Sequence, residues 1–208
     1  MKNLIIFDMD GTLLDSSDSI TKTINYVRSH LGLEAISKNM LLEKINDPYI
    51  KSSEFFYNSP VYTKKQRDLF EEYYYEICTQ NLKLYDGIYE LLNNLKNDFY
   101  LSVATNAYTT FAKKMLSHLN IDDFFINITG ADLVENSKPH PDMIEKIIKE
   151  LNHNKQTLLI GDSLKDAYAA QNANIDSILV NWGFSKHKED YVEDTKELLK
   201  EIYARFNI

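Results

Sequence analysis

The chain has almost no cysteine, no long hydrophobic run and no excess of positive charge. Its single cysteine, Cys78, excludes an intrachain disulfide bond and is typical of a reducing compartment. No apolar run approaches the ~20 residues that a transmembrane helix needs. The N-terminal residues also lack the basic region, apolar stretch and cleavage site of a signal peptide. We therefore expect a soluble cytoplasmic protein without a membrane partner.

The charge balance is acidic. The chain carries 31 Asp and Glu against 23 Lys and Arg, a net charge of -8. Nucleic-acid binders are more often basic, so a nucleic-acid partner is disfavoured. An anionic substrate would have to be attracted by local features, such as a metal ion, a lysine or a helix N-terminus. With 208 residues, 44% hydrophobic, the chain can bury a core as one large domain or one domain with an insertion.

Five short apolar runs predict the strands of a buried sheet. They lie at residues 4–7, 99–104, 124–128, 157–160 and 177–180. Near-continuous apolarity is typical of strands that are covered on both faces. Segments whose apolar residues recur at helical spacing lie between the later runs. One example is the stripe of Ile144, Ile147, Ile148 and Leu151. This alternation predicts an α/β fold, with a Rossmann-like parallel sheet and helices on both faces.

Residues 16–82 interrupt the alternation. They show helical periods, as at Ile20, Ile24 and Val27, and no convincing strand. We predict an all-helical cap domain inserted after the first strand, with hinges near 14–17 and 81–86. The remaining parts, 1–15 and 83–208, then form the core domain. Aromatic residues of the insertion are interpreted as its small helical core, and a substrate-stacking role for one ring is the alternative.

Polar side chains follow the ends of the predicted strands at four places. In a parallel sheet these ends share one edge, which is where ligands bind. The four groups are Asp8 with Asp10, Thr105 with Asn106, Lys138 before Pro139, and Asp162 with Asp166.

The carboxylates suit phosphoryl chemistry. Asp8 is a candidate nucleophile, and its charge must be shielded from an anionic phosphate. Mg²⁺ would provide that shielding, because hard cations prefer oxygen ligands, and Asp162 is a natural second ligand. Asp10 is a candidate acid that protonates the leaving oxygen and then, as a base, activates water.

The other groups provide hydrogen-bond donors and a positive charge. Thr105 and Asn106 suit holding phosphoryl oxygens without adding net charge. Lys138 places a point charge beside Asp8, and the following Pro139 predicts that it lies at the mouth of a helix. Each group alone is also typical of turns and helix caps, so the ordered set carries the interpretation.

This ordered set resembles the haloacid dehalogenase-like hydrolases over the whole chain. The matching motifs are Asp-x-Asp-Gly-Thr at 8–12, Thr105 with Asn106, Lys138, and Gly-Asp-Ser-x-x-Asp at 161–166. The insertion at 16–82 resembles the small α cap of that family. The resemblance implies an enzyme that hydrolyses a small phosphorylated metabolite and uses Mg²⁺.

The resemblance also implies a role for each residue. Asp8 would form an aspartyl-phosphate, Asp10 would be the general acid and then the base, and Lys138 would stabilise Asp8 and the phosphoryl group. Thr105 would bind the phosphoryl group with Asn106 beside it. Mg²⁺ would be held by Asp8, the backbone carbonyl of Asp10 and Asp162, with Asp166 in the outer shell.

Two other functions are kept as alternatives. Sugar-phosphate mutases of the same family also have both carboxylates, which are Asp8 and Asp10 here. However, Ile20 occupies the position at which the mutase pattern has a histidine. A binding or regulatory protein would retain the fold without turnover. The turn at 44–49 lacks the glycine of phosphoglycolate phosphatases, which argues against phosphoglycolate itself. We expect His140 and His187 at the surface, and the substrate and the oligomeric state stay open.

Overall fold

A computed structural model describes residues 2–208. Its centre is a six-stranded sheet with the order β5-β4-β1-β6-β7-β8, in which every neighbouring pair is parallel. The strands in chain order are β1 (Asn3–Phe7), β2 (Leu14–Asp15), β3 (Lys83–Leu84), β4 (Phe99–Thr105), β5 (Asn127–Gly130), β6 (Thr157–Gly161), β7 (Asp176–Val180) and β8 (Tyr191–Val192). The predicted α/β class with a mostly parallel sheet is confirmed.

The central strand β1 is apolar after its first residue. Leu4, Ile5, Ile6 and Phe7 of β1 are completely buried, and β1 pairs with β4 on one side and β6 on the other. The register places Phe7 opposite both a residue of β4 and a residue of β6. The three strands therefore end side by side, and the polar residues that follow them meet at one edge.

Helices cover both faces of this sheet because side chains alternate between faces along a strand. Ile5 and Phe7 pack with α5, α6 and α9, whereas Leu4 and Ile6 pack with α7 and α8. These five helices are α5 (Ile88–Leu95), α6 (Thr109–His118), α7 (Asp142–Glu150), α8 (Leu164–Asn172) and α9 (Thr195–Arg205). Two layers of helices thus enclose the apolar strands.

The segment 16–82, called the helical insertion below, contains four helices. They are α1 (Ser17–His30), α2 (Lys38–Ile45), α3 (Ser52–Tyr57) and α4 (Lys64–Ile77). Thr63 and Gln66 form a reciprocal capping box that starts α4, which explains where this helix begins. Immediately outside the insertion, β2 and β3 form a two-stranded antiparallel ribbon in which Leu14 pairs with Leu84. The chain therefore leaves and re-enters the core at neighbouring points.

Two details of the strand prediction were wrong. The run at 124–128 is only partly a strand, because Asp122–Phe124 forms a 3-10 turn and β5 starts at Asn127. The backbone N–H of Phe124 donates to the carbonyl of Ile121, so the start of the apolar run closes a turn. Strands β2, β3 and β8 were not predicted, because two residues carry no periodicity. Within residues 2–208, no helix combines the length and apolarity that a membrane crossing requires.

Candidate active site

Asp8 directly follows the last residue of β1, and its side chain is buried. Its Oδ1 accepts a hydrogen bond from Lys138 Nζ at 2.6 Å, and its Oδ2 accepts one from Thr12 Oγ1 at 3.2 Å. Burial raises the pKa of Asp8 to about 7, although the charge of Lys138 opposes this shift; the charge of Asp166 adds to it. The carboxylate is thus fixed in place and held in an environment that penalises its charge.

Lys138 is buried and uses all three of its N–H donors. Nζ donates to Asp8 Oδ1 at 2.6 Å, to Asp166 Oδ1 at 2.6 Å and to the carbonyl of Ala104 at 2.7 Å. Burial alone would lower the pKa of Lys138, but the carboxylates of Asp166 and Asp8 outweigh it and raise the pKa. The ammonium group is therefore charged and rigidly placed between two carboxylates.

The loop around Lys138 is held by Asn106. The side-chain Oδ1 of Asn106 accepts from the backbone N–H of Lys138, and its Nδ2 donates to the Lys138 carbonyl, both at 3.0 Å. Both ends of this amide are thus bonded to the loop. The expectation that Lys138 lies at a helix mouth was wrong: the residues around Pro139 form a turn, and α7 begins only at Asp142.

Asp10 is oriented by two hydroxyl groups. Its Oδ1 accepts a short hydrogen bond from Ser16 Oγ, and its Oδ2 accepts from Thr105 Oγ1 at 3.4 Å. Thr105 Oγ1 in turn accepts from the backbone N–H of Ala107 at 3.1 Å. Burial raises the pKa of Asp10, opposed by the bond from Ser16. The shift is in the direction that a proton donor requires.

Asp162, at the end of β6, is held by the loop that contains Gly183. Its Oδ2 accepts from the backbone N–H groups of Phe184 at 2.7 Å and Ser185 at 3.2 Å. A Cβ atom at Gly11 would lie 2.4 Å from this oxygen, and one at Gly183 would lie 2.5 Å from it. Only glycine leaves room for the carboxylate at these two positions.

Asp166 supports both the lysine and the helix that it starts. Its Oδ1 accepts from Lys138, while its Oδ2 accepts from the backbone N–H of Ser163 at 3.1 Å and from the hydroxyl of Ser163. The bond from the Ser163 N–H is one half of a capping box at the start of α8, and the Ser163 side chain accepts from the backbone N–H of Asp166 in the other half. Both oxygens of Asp166 are therefore already engaged.

The carboxylates of Asp8, Asp162 and Asp166 could hold a metal ion. One oxygen from each lies within 4.8 Å of the others, and all three residues are buried. Burial and the nearby charges of Asp8 and Asp166 raise the pKa of Asp162 well above its usual range, because the buried cluster penalises a further negative charge. A bound cation would relieve this penalty. An all-oxygen, negatively charged set fits a hard divalent cation.

Three side chains of this site were not predicted as parts of it. Ser16 bonds Asp10, and Asn46, which follows α2, donates from Nδ2 to Asp162 Oδ2 at 3.2 Å and to Ser185 Oγ at 3.1 Å. The third is His187, predicted to be a surface residue; it is partly buried and its Nε2 lies 2.7 Å from the Asp162 carbonyl. The only sequence feature that pointed to the region of Asn46 was the absence of glycine from the turn at 44–49.

We expect Asn46→Ala to weaken the contact between the helical insertion and the core. The change removes the amide donor to the Asp162 carboxylate, so the free energy of unfolding should fall by about 1 kcal/mol. Urea denaturation followed by circular dichroism measures this difference. Asn39→Ala, the same change at an exposed position of α2, is the control and should cost nothing. Equal losses in both variants would show that the Asn46 contact contributes nothing specific.

A cavity of about 590 Å³ opens beside the carboxylates, between the sheet edge and the helical insertion. Its lining includes six residues predicted from the sequence to form the site: Asp8, Asp10, Thr105, Asn106, Lys138 and Asp162. Asp166 lines it as well, and the insertion contributes the opposite wall. The structure therefore brings every predicted site residue to one enclosed volume.

The fold and this cluster of carboxylates and lysine define a class of hydrolase. The family model described as haloacid dehalogenase-like hydrolase matches residues 5–180. The chain therefore belongs to the haloacid dehalogenase-like hydrolases, as its motifs predicted.

Named relatives narrow the class. The chain is 30% identical over 199 residues to a phosphoglycolate phosphatase of Colwellia psychrerythraea, with 88% of this chain and 86% of the relative covered. It is 26% identical over 216 residues to the pyrophosphatase PpaX of Bacillus mycoides, with 99% and 98% covered. The crystal structure of a predicted phosphatase from Clostridium acetobutylicum superposes with a TM-score of 0.85 at 30% identity, covering 98% of this chain and 99% of that one. The predicted enzyme class, a phosphatase of this family, is confirmed.

Proposed function

We propose that the protein is a Mg²⁺-dependent phosphatase that hydrolyses a small phosphorylated metabolite through an aspartyl-phosphate at Asp8. The observation that carries this proposal is the position of Asp8 Oδ1, 2.6 Å from Lys138 Nζ at the end of β1. A nucleophilic carboxylate needs such a fixed positive partner to approach an anionic phosphate. The relatives named as phosphatases support the same reaction.

The roles follow from the contacts. Asp8 attacks phosphorus, and Lys138 offsets the charge that accumulates on Asp8 and on the phosphoryl oxygens. Asp10, oriented by Ser16 and Thr105, gives its proton to the leaving oxygen as the ester P–O bond breaks. It then takes a proton from the water that attacks the phosphorus of the aspartyl-phosphate, which frees Asp8 and releases inorganic phosphate. Thr105 contributes a hydroxyl to the phosphoryl group. Asn106 holds the backbone of the Lys138 loop, and this role is additional to the substrate contact that the sequence suggested.

Three groups would hold Mg²⁺: the carboxylates of Asp8 and Asp162 and the backbone carbonyl of Asp10. The ion would supply positive charge that screens Asp8 from the phosphate. Asp166 stays outside this set in our proposal, as its place in the family motif implies, and its two oxygens bond Lys138 and Ser163. It is a positioning residue for the lysine.

We further propose that residues 16–82 form a cap over the core domain of residues 1–15 and 83–208. The ribbon of β2 and β3 supports these boundaries, and the contact of Asn46 with Asp162 supports closure of the cap over the site. The mutase alternative gains no support, since Ile20 is a buried apolar side chain in the cavity wall. The cytoplasmic location stays a prediction.

Hydrolysis of p-nitrophenyl phosphate tests the proposed function. We expect turnover with Mg²⁺ and none in excess EDTA. Asp162→Asn should raise the Mg²⁺ concentration for half-maximal activity by about tenfold or more, because one anionic ligand is lost. The same variant should reduce the gain in melting temperature that Mg²⁺ gives the unliganded protein.

The control for this test is Asp176→Asn, the same change at an exposed position of β7. It should leave both the activity and the Mg²⁺ requirement unaltered. A folded wild-type protein that shows no turnover with Mg²⁺, Mn²⁺, Co²⁺ or Ca²⁺ would favour the binding-protein alternative. Turnover that persists in EDTA would refute the metal requirement alone.

A further inference from the structure

We propose that the cavity selects phosphate monoesters whose alcohol part carries an aromatic or heteroaromatic ring, in preference to small esters with a second anionic group. This inference rests on the proposed function, since it assigns a substrate class to the same site. It is carried by the rings, the charges and the free polar groups of the cavity wall.

The cavity wall contains a continuous row of rings, called the aromatic wall here: Phe70, Tyr74, Phe111 and Tyr108. Phe70 and Tyr74 of α4 lie with their centroids 5.3 Å apart, and Tyr74 meets Phe111 of α6 edge to face at 5.0 Å. Tyr108 stacks parallel to Phe111 at 6.0 Å. The row thus joins the helical insertion to the core, and an aromatic leaving group beside it would lose apolar surface to contact with rings.

The size of the cavity also fits a leaving group with a ring. About 590 Å³ is within the range of roughly 300–1,000 Å³ typical of pockets for drug-sized ligands. Tyr74 and Phe111 are buried, whereas Phe70 and Tyr108 are partly exposed. Glycolate or a second phosphate group would leave Phe70 and Tyr108 in contact with water. An alcohol that carries one ring would span from the carboxylates to the wall.

A second anionic group would have to compete with the bonds that the cations of this cavity already make. Besides Lys138, the lining residues in the described part of the chain include three cations: Lys51, Arg67 and Lys165. Lys51 pairs with Glu54 at 3.1 Å, and Lys165 donates to the carbonyl of Ile45 at 2.8 Å.

The third cation, Arg67, donates to the Tyr62 carbonyl. The carboxylate of Glu71, one turn further along α4, lines the same cavity and would repel a second anion. A carboxylate or a second phosphate would therefore give up water for partners that are already engaged.

Neutral donors remain for one acceptor atom on the ring. The Tyr57 hydroxyl is buried and has no hydrogen-bond partner among residues 2–208. Gln66 is also buried; its Oε1 accepts from the backbone N–H of Thr63 at 2.8 Å, while its Nε2 donates to none of the residues described. Because buried polar groups are normally bonded, these two suit a ring nitrogen, carbonyl or hydroxyl of the substrate.

The test compares two esters that differ by one ring. Ethyl phosphate and 2-phenylethyl phosphate release alcohols of nearly equal acidity, so their ratio of kcat/KM reports ring binding and excludes leaving-group activation. With the Mg²⁺-loaded full chain we expect 2-phenylethyl phosphate to exceed ethyl phosphate by about 30-fold. It should also exceed phosphoglycolate and inorganic pyrophosphate. Phe70→Ala should cut the ratio by about tenfold, because this partly exposed ring is lost from the wall.

Tyr75→Ala is the matched control, since it removes a half-exposed ring from the same helix outside the cavity lining. It should keep the wild-type ratio. A wild-type ratio near one, or a preference for phosphoglycolate or pyrophosphate, overturns the substrate class while the proposed phosphatase function stands. Absence of turnover with every ester overturns both. The wild-type ratio decides even where Phe70→Ala does not fold.

Discussion

Asp8→Asn should reduce the kcat for p-nitrophenyl phosphate by a factor of about 10⁴ or more. The amide has nearly the shape of the carboxylate but is a poor nucleophile, so no aspartyl-phosphate forms. The change also removes one buried charge from a cluster in which burial already raises the pKa of Asp8 to about 7. We therefore expect a folded variant whose melting temperature without metal is at least that of the wild type.

Three measurements check this prediction. Steady-state kinetics give the loss of turnover, differential scanning calorimetry gives the melting temperature, and mass spectrometry after incubation with substrate shows whether any protein carries a phosphoryl group. Lys138 keeps its bonds to Asp166 and to the Ala104 carbonyl, so the loop should stay in place. Asp176→Asn should match the wild type in all three. Activity within tenfold of the wild type would refute Asp8 as the nucleophile.

The second large effect is expected at Asp10. Asp10→Asn removes the acid and base while leaving Asp8 and Lys138 intact, and general acid-base catalysis contributes typically 10²–10⁴-fold. Because p-nitrophenolate is a good leaving group, the first step needs the acid less than the hydrolysis step needs the base. We therefore expect a burst of product equal to the enzyme present, a slow steady state and accumulation of the phosphorylated protein.

Rapid-mixing kinetics and intact-protein mass spectrometry test this expectation. Asp18→Asn is the control, since Asp18 is an exposed carboxylate of α1 that pairs with Lys38. It should show neither a burst nor a loss of steady-state rate. A burst amplitude and steady-state rate that are both unchanged in Asp10→Asn would remove Asp10 from the mechanism.

The elements with strong patterns were predictable from the sequence. The apolar runs at 4–7 and 157–160 lie within β1 and β6 because both are buried on two faces, which requires near-continuous apolarity. The spacing of Ile88, Leu91, Leu92 and Leu95 also contains a helical stripe, which marks α5. The ribbon of β2 and β3 leaves no such pattern, since it pairs two residues with two that lie far away in the chain.

The site residues likewise divide into those that the sequence pattern predicts and those that it does not. Asp8, Asp10 and Asp162 were predictable because carboxylates directly after parallel strands must meet at one edge. The contacts of Ser16, Asn46 and His187 depend on how loops pack together, and no local pattern records that packing. Asn106 shows the same limit: its residue type fits phosphate binding, yet its amide bonds the backbone of Lys138.

The ribbon of β2 and β3 has a consequence for how such enzymes diversify. Leu14 and Leu84 are direct partners, so the segment between them starts and finishes at one place on the core. A segment with adjacent ends can be lengthened, shortened or exchanged without moving the strands that hold the carboxylates. The cavity wall that the insertion contributes is thereby encoded in one uninterrupted stretch of the gene, between the two stretches that encode the carboxylates.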